Sequence, residues 1–447
     1  MKQLPLLVTT LLLAACSAAK TTDSAPPTPT PAPTSDAGAD ATADGGADPC
    51  LGATPRTVRL DPKTATTREV QTAFVSARPG DLIELGEGTF KLDNTLSLSA
   101  SCVTVRGAGR EKTILDFATQ AAGSDGLYGD HTSRLVLEGF SVRDARGNAI
   151  KVLGGEDLVF RGLGTSWTGP DPSKHGAYGL YPIQSKRVLI EDCVATDASD
   201  SGIYVGQSSH VVVRRNRAER NVAGIEIENT FFADVYENVA TGNTAGILVF
   251  DLPGLPQVGG HSVRVFKNEL RANNTKNFAP KGNTVGIVPA GVGFFVMANH
   301  DVEVFENTFT DNVTFHSAVV SYFVTQLPIN DPKYDPYPSR VYLHDNKYVG
   351  GGDAPDSSNE LGQLLLFNQS DFPGKIMSRV MYDGVVDDKR PASANPMEIC
   401  VKASAEATFA NVHLDTMKGL DFTPTFDAEK HACTAPVLAP VTWPGLK

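Results

Sequence analysis

The chain has 447 residues, a net charge of −12, and 41% hydrophobic and 20% charged residues. No basic run occurs, which excludes nucleic acid as a partner. Six cysteines and nine histidines show no zinc spacing, so no metal and no other cofactor is expected.

The N-terminus reads Met1-Lys2, then an apolar run from Leu4 to Ala15, then Cys16. One positive charge and a short apolar stretch make a secretory signal over residues 1–15. The run is shorter than the ~20 residues that span a bilayer. Its end, Leu13-Ala14-Ala15-Cys16, resembles the lipobox of bacterial lipoproteins. The resemblance implies cleavage before Cys16, diacylglycerol on its sulfur, and hence a membrane as partner through a lipid anchor. The alternative is an ordinary signal peptide with a chance cysteine. Ser17, not Asp, follows the cysteine, which resembles the sorting pattern for the outer membrane of the cell envelope. Residues 16–49 form a tether. From Ser17 to Asp48 they are, apart from Lys20, only Ala, Thr, Pro, Ser, Gly and Asp, a composition that cannot bury a core.

Residues 50–390 are expected to form one all-β solenoid, a right-handed parallel β-helix with an N-terminal capping helix. Thr66 to Ala77 has helical character, with Val70, Phe74 and Val75 near one face. The run from Pro79 to Phe90 follows. A repeat of about 22 residues then dominates. Gly202-Ile203-Tyr204-Val205-Gly206 leads to Val211-Val212-Val213-Arg214-Arg215-Asn216 and Asn221. Gly224-Ile225-Glu226-Ile227-Glu228 leads to Asp234-Val235-Tyr236-Glu237-Asn238 and Asn243. Gly246-Ile247-Leu248-Val249-Phe250 leads to Val263-Arg264-Val265-Phe266-Lys267-Asn268 and Asn273. Asn307 and Asn312 recur downstream. Each unit holds two or three short strands and cannot bury its apolar face alone, whereas stacked units can. The repeated Asn is expected both to take the left-handed corner and to bond the same residue one coil away.

The capping helix and the first coil, Pro79 to Phe90, resemble those of the pectate-lyase-like β-helix superfamily. The stretches His175-Gly176-Ala177-Tyr178-Gly179-Leu180-Tyr181-Pro182, Ala198 to Ser208, Val222 to Thr230 and Gly246 to Pro256 resemble a bacterial family of exported parallel β-helix repeat proteins, often lipoproteins. That resemblance covers most of Thr57 to about Val349. It implies fold and export, and no assigned reaction. Insertions break the period after Asp251, between Asn273 and His300, and between Asn312 and Arg340. The repeat fades from Gly351, and residues 391–447 are expected to be a C-terminal cap segment that covers the last coil, or else a small appended domain. Cys400 and Cys433 are candidates for a disulfide. Cys102 and Cys193 read as buried thiols in strands, and Cys50 stays unassigned.

β-Helix enzymes commonly work on the outer face of one sheet. With Ile203 and Val205 inward, one outward column is Lys151, Tyr181, Tyr204, Glu226 and Leu248. The next is Leu153, Ile183, Gly206, Glu228 and Phe250, and the turn beyond it offers Gln184, Gln207, Asn229 and Asp251. At ~4.8 Å per coil the first column is about 20 Å long. Aromatic rings stack on sugars, and polar groups read hydroxyls, so a polysaccharide is the expected partner. For β-elimination or C5-epimerisation of a uronic-acid polymer, Lys151 is the candidate neutraliser, Tyr181 or Tyr204 the proton donor or acceptor, and Glu226 the base. Glu228, Gln207, Asn229, Asp251, His175 and Tyr178 are candidate substrate-binding residues. The charge of Glu226 and the overall acidic balance oppose an anionic substrate. The Asp-Pro-His motif of epimerases with this fold is absent. In the structural alternative, Glu226 and Glu228 only keep the sheet soluble, Tyr181 and Tyr204 form a ladder, and His175 is a loop residue. His131, His210, His261, His300 and His316 look scattered. Three function classes therefore stand open: a polysaccharide lyase, epimerase or hydrolase; a non-catalytic glycan binder; and an envelope assembly factor paired with another exported protein.

Overall fold

The computed structural model describes residues 50, 52, 54–371, 379–402, 408–414 and 424–446. The signal, Cys16 and the whole tether lie outside the described residues. From Thr57 onward the chain winds as a right-handed parallel β-helix. A typical coil contributes Leu180–Ile183, Lys186–Glu191 and Val194–Thr196 to three different sheets. Among the described residues these sheets hold 11, 12 and 10 strands, each bonded to the equivalent strand of the next coil.

The helix Thr67–Val75 opens the solenoid. Thr66 caps it, accepting from the Glu69 backbone N–H while the Glu69 carboxylate accepts from the Thr66 N–H. Such a capping box satisfies donors that a helix start leaves open. Val70, Ala73 and Phe74 are buried, as i, i+3, i+4 spacing requires. Val75, expected on the same face, lies about 100° further round the helix and is 68% exposed.

Inside, Ile, Val, Leu and Phe pile into one continuous core. Two Asn columns hold the corners that flank the shortest strands. In one, Nδ2 of Asn216, Asn238, Asn268 and Asn307 donates to Oδ1 of the Asn one coil on, at 2.9–3.0 Å, ending at Asn346. In the other, Asn221, Asn243 and Asn273 donate likewise, ending at Asn312. Each Oδ1 also takes the backbone N–H of the Asn before it, as Asn238 does from Asn216. The coil-to-coil amide bond is the one the sequence suggests. The left-handed corner is not at Asn: it falls on the residue before, at Arg215, Glu237, Lys267 and Glu306, with φ of 53–55°. The Asn side chain must point inward to reach its ladder, so the preceding outward residue takes the turn.

The cysteines divide differently from expectation. Cys400–Cys433 is a disulfide, as proposed. Cys102 is not a buried thiol, because it bonds Cys50; it sits just before its strand with φ of 61°, where its side chain meets the entering chain. Cys193 is buried and free, at a corner between strands. The sheets run past residue 390, for Ile399–Val401 pairs with the strand Ser339–His344 and Phe409–Asn411 with Val380–Tyr382. The terminal segment then returns along the second sheet. There the Leu438 N–H donates to Glu303, the Val441 N–H donates to Asp234, and Val441 packs on Leu189 and Val212.

Asn243→Ala would strip the side-chain bonds that Asn243 makes with Asn221, Asn273 and the Ala218 carbonyl, leaving buried groups unpaired. It should lower the unfolding free energy by about 3 kcal/mol, whereas Lys91→Ala on the exposed surface should shift it by about 0.5 kcal/mol or less. Urea unfolding of the two variants checks this.

Candidate functional site

The outward face of the 11-stranded sheet carries the expected residues in the expected register. Lys151 pairs with Tyr181, Leu180 with Ile203, Tyr204 with Glu226, and Glu226 with Leu248. The column extends in both directions, through Tyr128 and Ser97 upstream and Phe295, Ala318 and Met381 downstream. Glu228 stands beside Glu226, in register with Gly206 and Phe250.

This face is not uniformly open, which corrects the solvent stripe read from the sequence. Tyr128, Lys151 and Tyr181 are half-buried, whereas Tyr204 and Glu226 are 4% exposed, Glu228 8%, and Leu248 and Phe250 are enclosed. Downstream, the insertions and the helix Glu360–Asp371 cover the sheet. Val285, Val288, Tyr322, Tyr334 and Leu365 pack with Leu248, Phe250, Phe295 and Met297 into a second apolar core. Glu226 and Glu228 therefore do not keep the sheet soluble. The upstream coils lack these insertions and leave a half-exposed strip that ends at the acidic residues.

Three tyrosines meet at that end. Ring centroids of Tyr178, Tyr181 and Tyr204 lie 4.5–4.9 Å apart, and the Lys151 ammonium sits 5.2 Å from the Tyr181 ring centre. Such contacts suit tilted and edge-on aromatic packing with a cation over one face. The Tyr204 hydroxyl bonds Glu228 at 2.5 Å. Ser201 Oγ lies 2.5 Å from Glu226 Oε2 and 3.1 Å from Asp200 Oδ1. Asn283, from the second insertion, donates to Asp200 at 3.1 Å. Sequence reasoning missed Asp200, Ser201 and Asn283. Asp200 stands just before a strand, in a position its repeat mates fill with Val222 and Thr244, and that break in the pattern was the available signal.

Burial sets the electrostatics. Desolvation pushes Asp200 up to about 6 and Glu228 to about 7, and Glu226 well above the carboxylate range with further help from Asp200 and Glu228. The Tyr181 phenol is pushed up to about 12, and Tyr178 and Tyr204 upward too, by burial first and then by these carboxylates. Burial raises Asp251 to about 7 against the pull of the Gly259 and Gly260 N–H groups.

The remaining expected residues serve the scaffold. Asn229 bonds Leu252 and Gln257, and so fixes the first insertion. Asp251 anchors the return of that insertion. Gln207 turns a corner with φ of 50° and bonds Gln184 at 3.3 Å. The His175 ring bridges the Asp197 and Gly169 carbonyls at 2.6 and 2.9 Å, next to Trp167, and does not join the tyrosines. The histidines are less scattered than they look: His261 and His300 are register partners at one corner, because the insertion between them hides the period. A cavity of about 410 Å³ lies elsewhere, on the second sheet, lined by Arg340, Tyr342 and the Cys400–Cys433 bridge. Catalytic function is better sought at the tyrosine–acid cluster, where shifted carboxyls converge.

Residues 101–259 match the family model described as the right handed beta helix region. No curated protein matches the chain. Among solved structures, the chain is similar to an alginate lyase from Paenibacillus sp. str. FPU-7, at 18% identity over 67% of this chain and 97% of that one, with a TM-score of 0.45. It is similar to the A-module of the Azotobacter vinelandii mannuronan C-5 epimerase AlgE4, at 16% identity over 64% and 92%, with a TM-score of 0.41. It is also similar to pectate lyase Pel9A, at 15% identity over 69% and 80%, with a TM-score of 0.35.

The raised carboxyls make stability depend on pH. Free Asp and Glu ionise near 4, so between about 4 and 7 the folded chain holds protons the unfolded chain has lost. That contribution is complete below about 4 and fades as pH rises through 6 to 7. Glu228→Gln removes one such group. Its melting temperature relative to the parent should rise from pH 5 to pH 8, and a constant difference across that range would refute the assignment.

Proposed function

We propose that this protein is an exported, lipid-anchored β-helix that binds polysaccharide along the strip Tyr128, Lys151 and Tyr181. The carrying observation is the Tyr178–Tyr181–Tyr204 cluster with Lys151 over the Tyr181 ring. Aromatic surface suits sugar rings, a lone cation suits a carboxylate or hydroxyl, and Asp125 and Asp130 border the strip. The covered half of the sheet gives the strip a closed end, so a chain would lie across the upstream coils and stop at Tyr204.

A second reading is modification of a uronic-acid polymer. It is favoured by one observation: Glu226 is enclosed, and burial pushes its carboxyl well above the carboxylate range, towards the neutral form. The repulsion expected of a Glu226 carboxylate towards an anionic substrate then disappears. Glu226 is also removed as a free base, and Tyr181, with its phenol pushed to about 12, is a poor one. Lys151 keeps the role of charge neutraliser. The reading of an assembly factor paired with another exported protein has no site of its own on this face.

Lys151→Ala and Tyr181→Ala should each weaken polymer binding about tenfold, measured on an array of acidic and neutral glycans, with absorbance followed at the unsaturated-uronate band. No binding to any polymer by the parent protein would overturn the glycan reading. For the anchor, Cys16→Ser should move the protein from the membrane fraction to the soluble one, read by fractionation and lipid labelling. Unchanged membrane recovery would overturn it.

A further inference from the structure

The charges along the strip have an order. The strand Ala122–Asp130 brings two carboxylates to the coil of Tyr128, one on each side of it in the chain. Asp130 Oδ1 lies 3.3 Å from the Tyr128 hydroxyl and 2.7 Å from Nδ1 of His131. Asp125 Oδ1 accepts from the Asn148 amide at 2.7 Å. The next coil sets Lys151 in register with Tyr128, and Leu153 with Asp130. The coil after it continues those two lines with Tyr181 and Ile183. Tyr178 adds a second ring there, 4.5 Å from Tyr181 between ring centres. From Tyr128 towards Tyr204 the strip thus reads two anions, one cation and a neutral aromatic patch.

Lys151 is the unneutralised member. Both carboxylates have partners, whereas Lys151 makes no ion pair among the described residues: its ammonium rests between two rings, 6.0 Å from the Tyr128 centre and 5.2 Å from the Tyr181 centre. Rings hold a cation in place without cancelling its charge. An ammonium so held is complementary to one negative group of a ligand on the strip.

Adjacent coils stand about 4.8 Å apart, close to the length of one sugar along an extended polysaccharide. A polymer with a carboxylate on every sugar would seat one on Lys151 and set the next against Asp125 and Asp130, where like charges oppose each other. A polymer with an acid on every second sugar carries the next one two coils upstream of Lys151, onto the strand Asn94–Leu98. There Ser97 continues the Tyr128 column without charge. The neutral sugars then fall on Tyr128 and Tyr181.

We propose that the strip selects a polysaccharide in which acidic sugars alternate with neutral ones. Lys151 seats the acid, and Asp125 and Asp130 reject a second acid on the adjoining sugar. This names the ligand class of the glycan reading above and rests on that reading.

An array with several polymers of each charge class tests it. Polygalacturonate, polymannuronate and polyguluronate carry an acid on every sugar. Hyaluronan, chondroitin and heparosan carry one on alternate sugars, and dextran, glucomannan and laminarin carry none. The tightest alternating polymer should bind at least about tenfold more strongly than the tightest fully charged one. In Lys151→Gln its affinity should fall to the level of the neutral class. Asp125→Asn combined with Asp130→Asn, in a variant with the parent's circular dichroism, should close the gap between the fully charged and alternating classes. Tightest binding to a fully charged or a neutral polymer overturns the proposal and leaves the glycan reading standing. A gap that the double variant does not narrow overturns the role of the two aspartates. Absence of binding to all three classes overturns the proposal and the glycan reading together.

Discussion

Everything in this molecule depends on the register between coils. Parallel strands fix it along the walls, and the two Asn columns fix it at the corners. The insertions show how strict it is. Asn221 and Asn243 are 22 residues apart, Asn243 and Asn273 are 30, and Asn273 and Asn312 are 39, yet the three amide bonds measure 3.0, 2.9 and 3.1 Å. Extra chain is expelled outward, and the ladder does not stretch. A buried amide left unpaired costs more than a surface loop of ten or twenty residues.

Fixed register turns each outward column into a ruled line, and the two larger sheets use theirs differently. On the second sheet, Arg106, Glu138, Arg161, Glu191 and Arg214 alternate in sign and pair along the axis. Tyr236, Phe266, Phe305 and His344 then continue as rings stacked 4.7–5.2 Å apart. Stacked rings show their edges outward, so that line suits packing rather than ligand. On the first sheet, the tyrosines tilt and cross, and Tyr181 offers a face that Lys151 takes up. The same scaffold thus makes a wall of stacked rings on one side and a half-exposed strip of tilted rings on the other.

The coil period, the inward Ile and Val, the columns through Lys151, Tyr181, Tyr204 and Glu226, and the Cys400–Cys433 bridge were all legible in the sequence, because each follows from spacing within or between neighbouring repeats. The state of the site was not. Glu226 looks exposed in a period-2 strand, and only the chain that folds back from residues 274–290, 322–338 and 360–371 encloses it. Asn283 reaches Asp200 across 83 positions, a contact that no local pattern encodes. The Cys50–Cys102 bridge joins an unrepeated entry segment to a corner, and the His261–His300 pairing is masked by a separation of 39 positions in place of the usual 22 or so. Long-range covering, rather than secondary structure, is what the repeat conceals.

That covering gives the acids their meaning. The next coil places Leu248 and Phe250 in register with Glu226 and Glu228, so apolar side chains fit these columns under the same insertions. Burying carboxyls where leucine and phenylalanine fit lowers stability, since each must be desolvated or kept protonated. The fold does not require them. They stand where the apolar half of the sheet meets the half-exposed strip, with the Tyr204 hydroxyl on Glu228 and the Tyr204 ring against Tyr181. Burial there pushes the carboxyls of Asp200, Glu226 and Glu228 upward, so the cost in stability falls where the covered and half-exposed halves of the sheet meet.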